Sequence, residues 1–184
     1  AWRIVKVDAN EPLPADTAGC SGLAFMGGPM SVNDDLPWIP AALALIRRAV
    51  AADIPVVGHC LGGQLMAKAM GGAVTRNPVK EIGWGKVEVV KDAVAESWFG
   101  PALASFESFH WHGETFSVPP GAARLAYSVH CENQMFALGP HLGMQCHVEM
   151  TPQMIRAWCN DWGKEVSALA ARVPSVQTPE EMTE

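Results

Sequence analysis

One short segment, GHCLGGQ at residues 58–64, constrains the fold of this chain more than any other feature. It follows an apolar run at residues 54–57 and leads into residues 65–70, where apolar positions recur at helical spacing. The order predicts a strand, a sharp turn and a helix. Gly58 and Gly62 flank Cys60 two residues to either side. Small residues are needed at those positions when a reactive side chain sits on a tight strand-to-helix turn.

Cys60 would project above the sheet from such a turn, at the start of the helix. Its sulfur would face unpaired backbone N–H groups and the positive end of the helix dipole, and both stabilise a thiolate. Cys60 is therefore the cysteine whose surroundings favour chemistry. The segment alone is also compatible with a buried structural cysteine in an ordinary turn. Other segments of the chain are needed to distinguish a reactive cysteine from a structural one.

Composition limits the partners that this chain can have. Its 184 residues are 49% hydrophobic, which is enough to bury the core of one domain. The formal net charge is −6 and no basic cluster exceeds Arg47-Arg48, which argues against nucleic acid or an anionic membrane surface. No apolar run approaches the roughly 20 residues of a membrane helix, and no leader is visible. Five cysteines without C-x-x-C spacing favour a reducing compartment, so we expect a cytoplasmic location.

The first half of the chain alternates apolar strand patterns with helical ones, and the second half is richer in strands. This pattern predicts an α/β fold of three layers, with a mostly parallel central sheet and helices on both faces. We expect one domain at residues 1–174 and a loose, polar tail at 175–184. Strands are predicted at 3–7, 23–26, 55–58, 73–76, 84–90, 106–112, 124–129, 134–138 and 143–147. Helices are predicted at 38–52, 61–70 and 152–173, and a short helix or turn at 92–100.

A second candidate segment, QCHVE at residues 145–149, could supply a base for the thiol. In an extended strand, residues two apart point to the same side, so His147 and Glu149 can meet. A carboxylate placed there holds the imidazole in one tautomer and stabilises its cation. Taken alone, an H-x-E pair is also compatible with ordinary surface polar residues.

The other histidines offer weaker alternatives. His110 and His112 share one face of a predicted strand, as a packed pair, an exposed pair or two ligands of a zinc ion. Too few thiolates or carboxylates cluster near them at ligand spacing to predict zinc, so no metal site is expected. Cys146 is a poor nucleophile candidate because the pleat of a strand would direct its side chain away from that of His147, the candidate base. No sequence context selects His59, His130 or His141.

Three separated segments together resemble the class I (triad) glutamine amidotransferases, most closely the amidotransferase domain of GMP synthase and its free-standing relatives. They are GGP at residues 27–29, the cysteine segment at 58–64 and the histidine segment at 145–149. Their order and intervals fit the family, and the resemblance extends from about residue 4 to about residue 162. It implies the three-layer α/β architecture with flavodoxin-like topology.

The resemblance implies a catalytic triad of Cys60, His147 and Glu149 that hydrolyses the side-chain amide of L-glutamine through a γ-glutamyl thioester on the cysteine. The backbone amides of Leu61 and Gly28 would hold the oxyanion. Further residues implied to line the substrate pocket are Gln64, which would bind the amino-acid end of the substrate, and the backbone of Trp111, His112 and Gly113. We expect no cofactor and no metal.

Two departures from the family pattern stand out. The family usually has proline between the catalytic histidine and glutamate, whereas this chain has Val148, which should loosen the turn without abolishing the triad. Domains of this kind also begin with another strand and helix before the strand predicted at residues 3–7. We therefore expect that first strand and helix to be absent from this chain.

Several functions remain open at this stage. The chain has neither an S-G-G-x-D-S phosphate loop nor a G-x-x-x-x-G-K-[ST] loop, so a GMP synthase-like enzyme would need a separate synthase subunit as its partner. A free-standing peptidase acting on γ-glutamyl peptides or conjugates would use the same triad. A non-catalytic binding module on the same fold is the third hypothesis. A homodimer is possible, but no surface for it is indicated.

Overall fold

The computed structural model describes residues 2–184 and contains a mixed sheet of seven strands among them. The sheet order is β1-β2-β7-β6-β5-β3-β4. In chain order the strands are β1 (Leu23–Phe25), β2 (Val56–His59), β3 (Val74–Val89), β4 (Ser105–Phe116), β5 (Ala123–Tyr127), β6 (Met135–Leu138) and β7 (His141–Met144). The helices are α1 (Trp38–Ala51), α2 (Leu61–Ala69), α3 (Ala93–Phe99), α4 (Pro152–Ala170) and α5 (Pro179–Thr183).

Strand direction divides the sheet into two parts. β1, β2 and β7 are mutually parallel neighbours, whereas the pairs β7-β6, β6-β5, β5-β3 and β3-β4 are antiparallel. The predicted α/β class is confirmed, and the antiparallel share is larger than a mostly parallel sheet would have. The parallel part consists of the strands that lead to the three sequence motifs.

Helices cover both faces of the sheet, as predicted. β6 shows the two sides, because Phe136 packs with α1 and α2 while Met135 and Ala137 pack on the other side with Ala95 of α3. Helix α1 begins and ends within one residue of its predicted bounds and buries a stripe that includes Ile39 and Ile46. In the described residues, no helix has both the length and the apolar content needed to cross a bilayer.

The C-terminal residues pack against the domain, so the expectation of a loose tail at 175–184 is wrong. Val176 forms a β-bridge with Ile82 of β3, and Met182 of α5 is buried. Thr178 caps α5 through a reciprocal capping box with Glu181. The tail is mostly polar, so its sequence did not indicate that two apolar residues, Val176 and Met182, would pack against the domain.

Four predicted strands differ in the structure. Residues 3–7 form no strand, because the backbone of Lys6 bonds to Glu11 in a local turn instead of pairing with a neighbour. Residues 73–76 and 84–90 belong largely to one long strand, β3, whose pairing with β4 shifts register between Arg76 and Glu81. β7 ends at Met144, so residues 145–149 are bent rather than extended.

Candidate active site

The carboxyl ends of the three parallel strands lie at one edge of the sheet, where α/β proteins place ligand sites. β1 leads to residues 27–29, β2 leads to Cys60, and β7 leads to residues 145–149. The three motifs of the sequence therefore meet because their strands are parallel neighbours.

Cys60 occupies a sharp turn between β2 and α2. Its backbone has φ 50° and ψ −109°, in a region that non-glycine residues rarely adopt. Such a conformation costs about 1–3 kcal/mol and persists only where its surroundings impose it. The backbone N–H of Cys60 donates to the Met144 carbonyl at 2.8 Å, and the N–H of Gln64 donates to the Cys60 carbonyl at 3.0 Å. The turn is thus held by β7 on one side and by the first turn of α2 on the other.

The glycines around Cys60 are required by close backbone contacts. A Cβ on Gly62 would overlap the carbonyl oxygen of Phe25, and one on Gly58 would overlap the backbone of Gly62. A Cβ on Gly63 would overlap the carbonyl oxygen of Met144. The helix that follows the cysteine therefore packs directly onto the ends of β1 and β7.

His147 is positioned by β4 rather than by β7. Its N–H donates to the Phe109 carbonyl at 2.8 Å, the Phe109 N–H donates back at 3.3 Å, and the Ser108 hydroxyl also donates to the His147 carbonyl at 3.0 Å. The imidazole meets the indole of Trp158 edge to face, with ring centroids 5.4 Å apart. An aromatic wall from α4 therefore limits how the His147 ring can turn.

The structure brings Cys60 and His147 together across Gly27. A Cβ on Gly27 would lie 3.2 Å from His147 Cε1 and 3.6 Å from Cys60 Cβ. His147 Nε2 is buried and has no aligned hydrogen bond among residues 2–184, which leaves it available to a neighbouring thiol or a substrate. A small residue at position 27 lets the imidazole approach the cysteine.

Glu149 joins two histidines. Its Oε1 accepts a hydrogen bond from His147 Nδ1 at 2.7 Å, and its Oε2 accepts one from His59 Nδ1 at 2.7 Å. The first contact is the one anticipated from the H-x-E spacing, although the segment is bent. Sequence analysis did not select His59. A usable signal was its place as the last residue of the strand before the cysteine.

The charges of this cluster follow from its hydrogen bonds. Burial lowers the pKa of His147, but its contacts with Cys60 and with the carboxylate of Glu149 outweigh burial and raise that pKa to about 9. Burial raises the pKa of Glu149, and the hydrogen bonds from His147 and His59 outweigh it, so the Glu149 pKa lies well below its usual range. At neutral pH, His147 is therefore a cation beside an ionised carboxylate.

Gln64 reaches the cysteine through a second glutamine. Gln64 Nε2 donates to Gln145 Oε1 at 3.1 Å, and Gln145 Nε2 lies 3.6 Å from Cys60 Sγ as a donor. Both amides are buried. The predicted substrate-binding Gln64 thus lies beneath the cysteine with part of its hydrogen-bonding capacity already used, and Gln145 is a neighbour of the sulfur that sequence analysis did not single out.

The predicted oxyanion residues lie next to each other. Leu61 is the first residue of α2, and a Cβ on Gly28 would lie 3.1 Å from Leu61 Cδ2. The carbonyl oxygen of Trp111 lies 3.9 Å from Cys60 Sγ, which places the backbone of β4 on another side of the sulfur. Backbone from β4 and from the glycine loop therefore flanks the cysteine.

The other two predicted pocket residues face different groups. His112 turns its side chain away to Glu81 of β3, with Nε2 at 3.0 Å from Glu81 Oε2. Gly113 lies under the side chain of Lys80, because a Cβ there would be 3.1 Å from Lys80 Cε. Only their backbone remains available for the role that the resemblance assigned to them.

Comparisons with known proteins agree with this geometry. The sequence profile of the family described as glutamine amidotransferase class-I matches residues 2–158. The crystal structure of a glutamine amidotransferase from Methylobacillus flagellatus is 49% identical, with a TM-score of 0.95, and the match covers 100% of this chain and 75% of that one. One from Thermotoga maritima is 28% identical, with a TM-score of 0.84, covering 97% of this chain and 75% of the other.

Curated relatives carry more than one activity in their names. A glutamine amidotransferase-like protein of Salmonella typhimurium is 33% identical over 82% of this chain and 65% of that protein. Gamma-glutamyl peptidase 4 of Arabidopsis thaliana is 31% identical over 78% of this chain and 59% of that protein. A GMP synthase of Thermomicrobium roseum is 32% identical over 70% of this chain and 23% of that protein. The chain spans less than two thirds of the length of each of these three relatives.

Proposed function

Because this chain belongs to the glutamine amidotransferase class-I family, we propose that it hydrolyses the side-chain amide of L-glutamine to glutamate and ammonia, with Cys60, His147 and Glu149 as the catalytic triad. The observation that carries the proposal is the position of His147 between the other two residues. Its Nδ1 lies 2.7 Å from Glu149 Oε1, and the other side of the imidazole ring lies next to Cys60.

In the first half of the reaction, the Cys60 thiolate attacks the amide carbon of the substrate and a tetrahedral oxyanion forms. The backbone N–H groups of Gly28 and Leu61 stabilise that oxyanion, each contributing about 3–4 kcal/mol. The intermediate then collapses, and the nitrogen takes a proton from His147 as ammonia leaves. A γ-glutamyl thioester remains on Cys60.

In the second half, neutral His147 accepts a proton from a water molecule that attacks the thioester carbon. The carbon–sulfur bond breaks, glutamate leaves and Cys60 returns to the thiolate state. Glu149 holds the imidazole in one orientation through both halves and stabilises its cation. His59 in turn holds the second oxygen of Glu149.

A second candidate is hydrolysis of γ-glutamyl peptides or conjugates. This reaction breaks the same kind of bond, a γ-glutamyl amide. The relative named gamma-glutamyl peptidase 4 favours it. The leaving amine would then be larger than ammonia and would need space beside His147. A non-catalytic module is not favoured, because Cys60, His147 and Glu149 lie close together at one edge of the sheet, as the proposed chemistry requires.

The candidate partners differ between the two functions. In the amidotransferase, ammonia would pass to an acceptor that a synthase activates, and that synthase would lie outside these 184 residues, which contain neither phosphate-loop motif. In the peptidase, no synthase would be required. We expect a cytoplasmic enzyme in either case.

The test is to measure release of ammonia from L-glutamine and cleavage of glutathione in parallel, using the longest natural chain that contains these residues. Cys60→Ala should abolish the activity, and Cys146→Ala is the matched control because the Cys146 side chain packs in an apolar cluster with Met135 and Met144, where burial raises its pKa to about 12. Glutamine turnover that survives Cys60→Ala contradicts the proposal. Glutathione cleavage without glutamine turnover selects the peptidase.

A further inference from the structure

A buried polar cluster lies between β3 and β4, outside the catalytic triad. Glu81 comes from β3, while His110 and His112 come from β4, and all three are buried. One potential ligand atom of each lies within 4.8 Å of the others. Sequence analysis counted only the two histidines, because Glu81 belongs to the neighbouring strand.

His112 has a defined tautomer in this cluster. Its Nδ1 lies 2.9 Å from the carbonyl oxygen of Glu114, and a carbonyl can only accept, so Nδ1 carries the hydrogen. Nε2 then turns its lone pair towards Glu81 Oε2 at 3.0 Å, a contact that lacks hydrogen-bond alignment. Two lone pairs at this distance require a positive charge between them, which is either a proton or a metal ion.

The surrounding donors do not satisfy the cluster. Gln134 Nε2 has two hydrogens but three neighbours within reach, Glu81 Oε2 at 2.9 Å, Ser128 Oγ at 3.0 Å and His110 Nδ1 at 3.3 Å. The Ser128 hydroxyl donates its hydrogen to Glu81 Oε1 at 2.8 Å. Gln134 Oε1 is buried and has no partner among the described residues. Gln134 Oε1 and His112 Nε2 are therefore buried acceptors without an aligned hydrogen bond among the described residues, and a cation would satisfy acceptors of this kind.

We propose that Glu81, His110 and His112 bind a divalent metal ion of the zinc class. Imidazole nitrogen and carboxylate oxygen are ligands that zinc prefers, and three protein ligands leave a fourth position for a water molecule or for the oxygen of Gln134. Metal-bound histidines commonly donate their other N–H to a backbone carbonyl, as His112 does to Glu114. A proton on His112 would satisfy Glu81 but leave Gln134 Oε1 without a partner among the described residues.

The metal would act as a structural clamp near the catalytic site. It would join β3 to β4 beside Trp111, whose carbonyl oxygen lies 3.9 Å from Cys60 Sγ. His110 and His112 flank Trp111 on the strand and point to the opposite side of it from the tryptophan ring, which packs against α4. The ion would therefore stabilise the strand without touching the reacting atoms.

The experiment measures zinc bound per chain after dialysis against metal-free buffer and titration with Zn²⁺. It is done on Cys60→Ser, so that zinc cannot bind a thiolate at the catalytic site. We expect one equivalent of zinc per chain. Cobalt substituted for zinc should give the visible absorption of a four-coordinate site without a thiolate charge-transfer band. The cobalt spectrum needs no ligand variant and so does not depend on whether such a variant folds.

Two further variants locate the ion. His110→Phe in the same background should weaken zinc binding by at least about tenfold and remove the cobalt spectrum. His141→Phe is the matched control, since His141 is also buried with an unpartnered Nδ1 in the described chain but lies on β7. The proposal is overturned if Cys60→Ser binds no zinc, if the cobalt spectrum indicates thiolate ligands, or if His110→Phe binds zinc as tightly as His141→Phe.

Discussion

His59 Nδ1 lies 2.7 Å from Glu149 Oε2, so the carboxylate beside His147, the proposed catalytic histidine, is held from both sides. His59 is buried at the end of β2 and immediately precedes Cys60. The strand that leads to Cys60, the proposed nucleophile, therefore also positions Glu149, the proposed third member of the triad. This couples the orientation of His147 to the cysteine turn through side chains as well as through the backbone.

Replacing His59 should impair catalysis without removing it. A hydrogen bond to a charged group contributes about 1.5–3 kcal/mol, so His59→Phe should lower kcat/KM by about tenfold or more. The acid limb of the pH profile should move to higher pH, since Glu149 loses a donor that holds its pKa down. His59→Gln, which can still donate, should restore part of the loss. An acid limb that stays in place in His59→Phe would exclude the positioning role.

Removing the charge of Glu149 should lower the pH above which activity is lost. The pKa of His147 is raised to about 9, so the imidazolium that protonates the leaving ammonia is present below that pH and lost above it. Glu149→Gln removes an attraction that raises this pKa, so the alkaline limb of kcat should move down by about 1–3 pH units. A pH series of initial rates measures it. An unchanged alkaline limb would show that another group sets it.

The aromatic wall beside His147 should affect turnover more than binding. Trp158 meets the imidazole edge to face, and such pairs contribute about 0.5–1.5 kcal/mol, so Trp158→Leu should lower kcat by about twofold to tenfold. Trp162→Leu is the matched control, because Trp162 packs against Trp158 and Trp111 of the same cluster. Steady-state kinetics of both variants give the comparison. Equal losses in kcat would show that the wall acts only through packing.

Glycine at position 62 should be essential for folding. A Cβ there would overlap the carbonyl oxygen of Phe25, so Gly62→Ala should reduce the free energy of unfolding by about 3 kcal/mol or more. Gly163 lies within α4, where a Cβ would make an ordinary contact 3.4 Å from Pro179 Cγ. Gly163→Ala should therefore be neutral or stabilising by up to about 1 kcal/mol. Urea unfolding of both variants measures the difference, and a stable Gly62→Ala would contradict the proposed packing.

Local sequence patterns were sufficient to predict the elements that depend on residues close together in the chain. The strand, turn and helix around Cys60 follow from glycine spacing and apolar periodicity. Helix α4 begins at the predicted Pro152, with Thr151 as its cap. The contact between His147 and Glu149 was predicted because both residues belong to one short segment, although that segment proved to be bent.

The sequence by itself therefore determined the α/β class, the cysteine turn and the paired histidine and glutamate, because short-range sterics and periodicity control them. Only the tertiary structure decided that His59 reaches Glu149, that β4 positions His147, and that Glu81 joins His112. These contacts join residues far apart in the chain. They depend on strand order and register, which are set by packing of the whole sheet rather than by any local pattern.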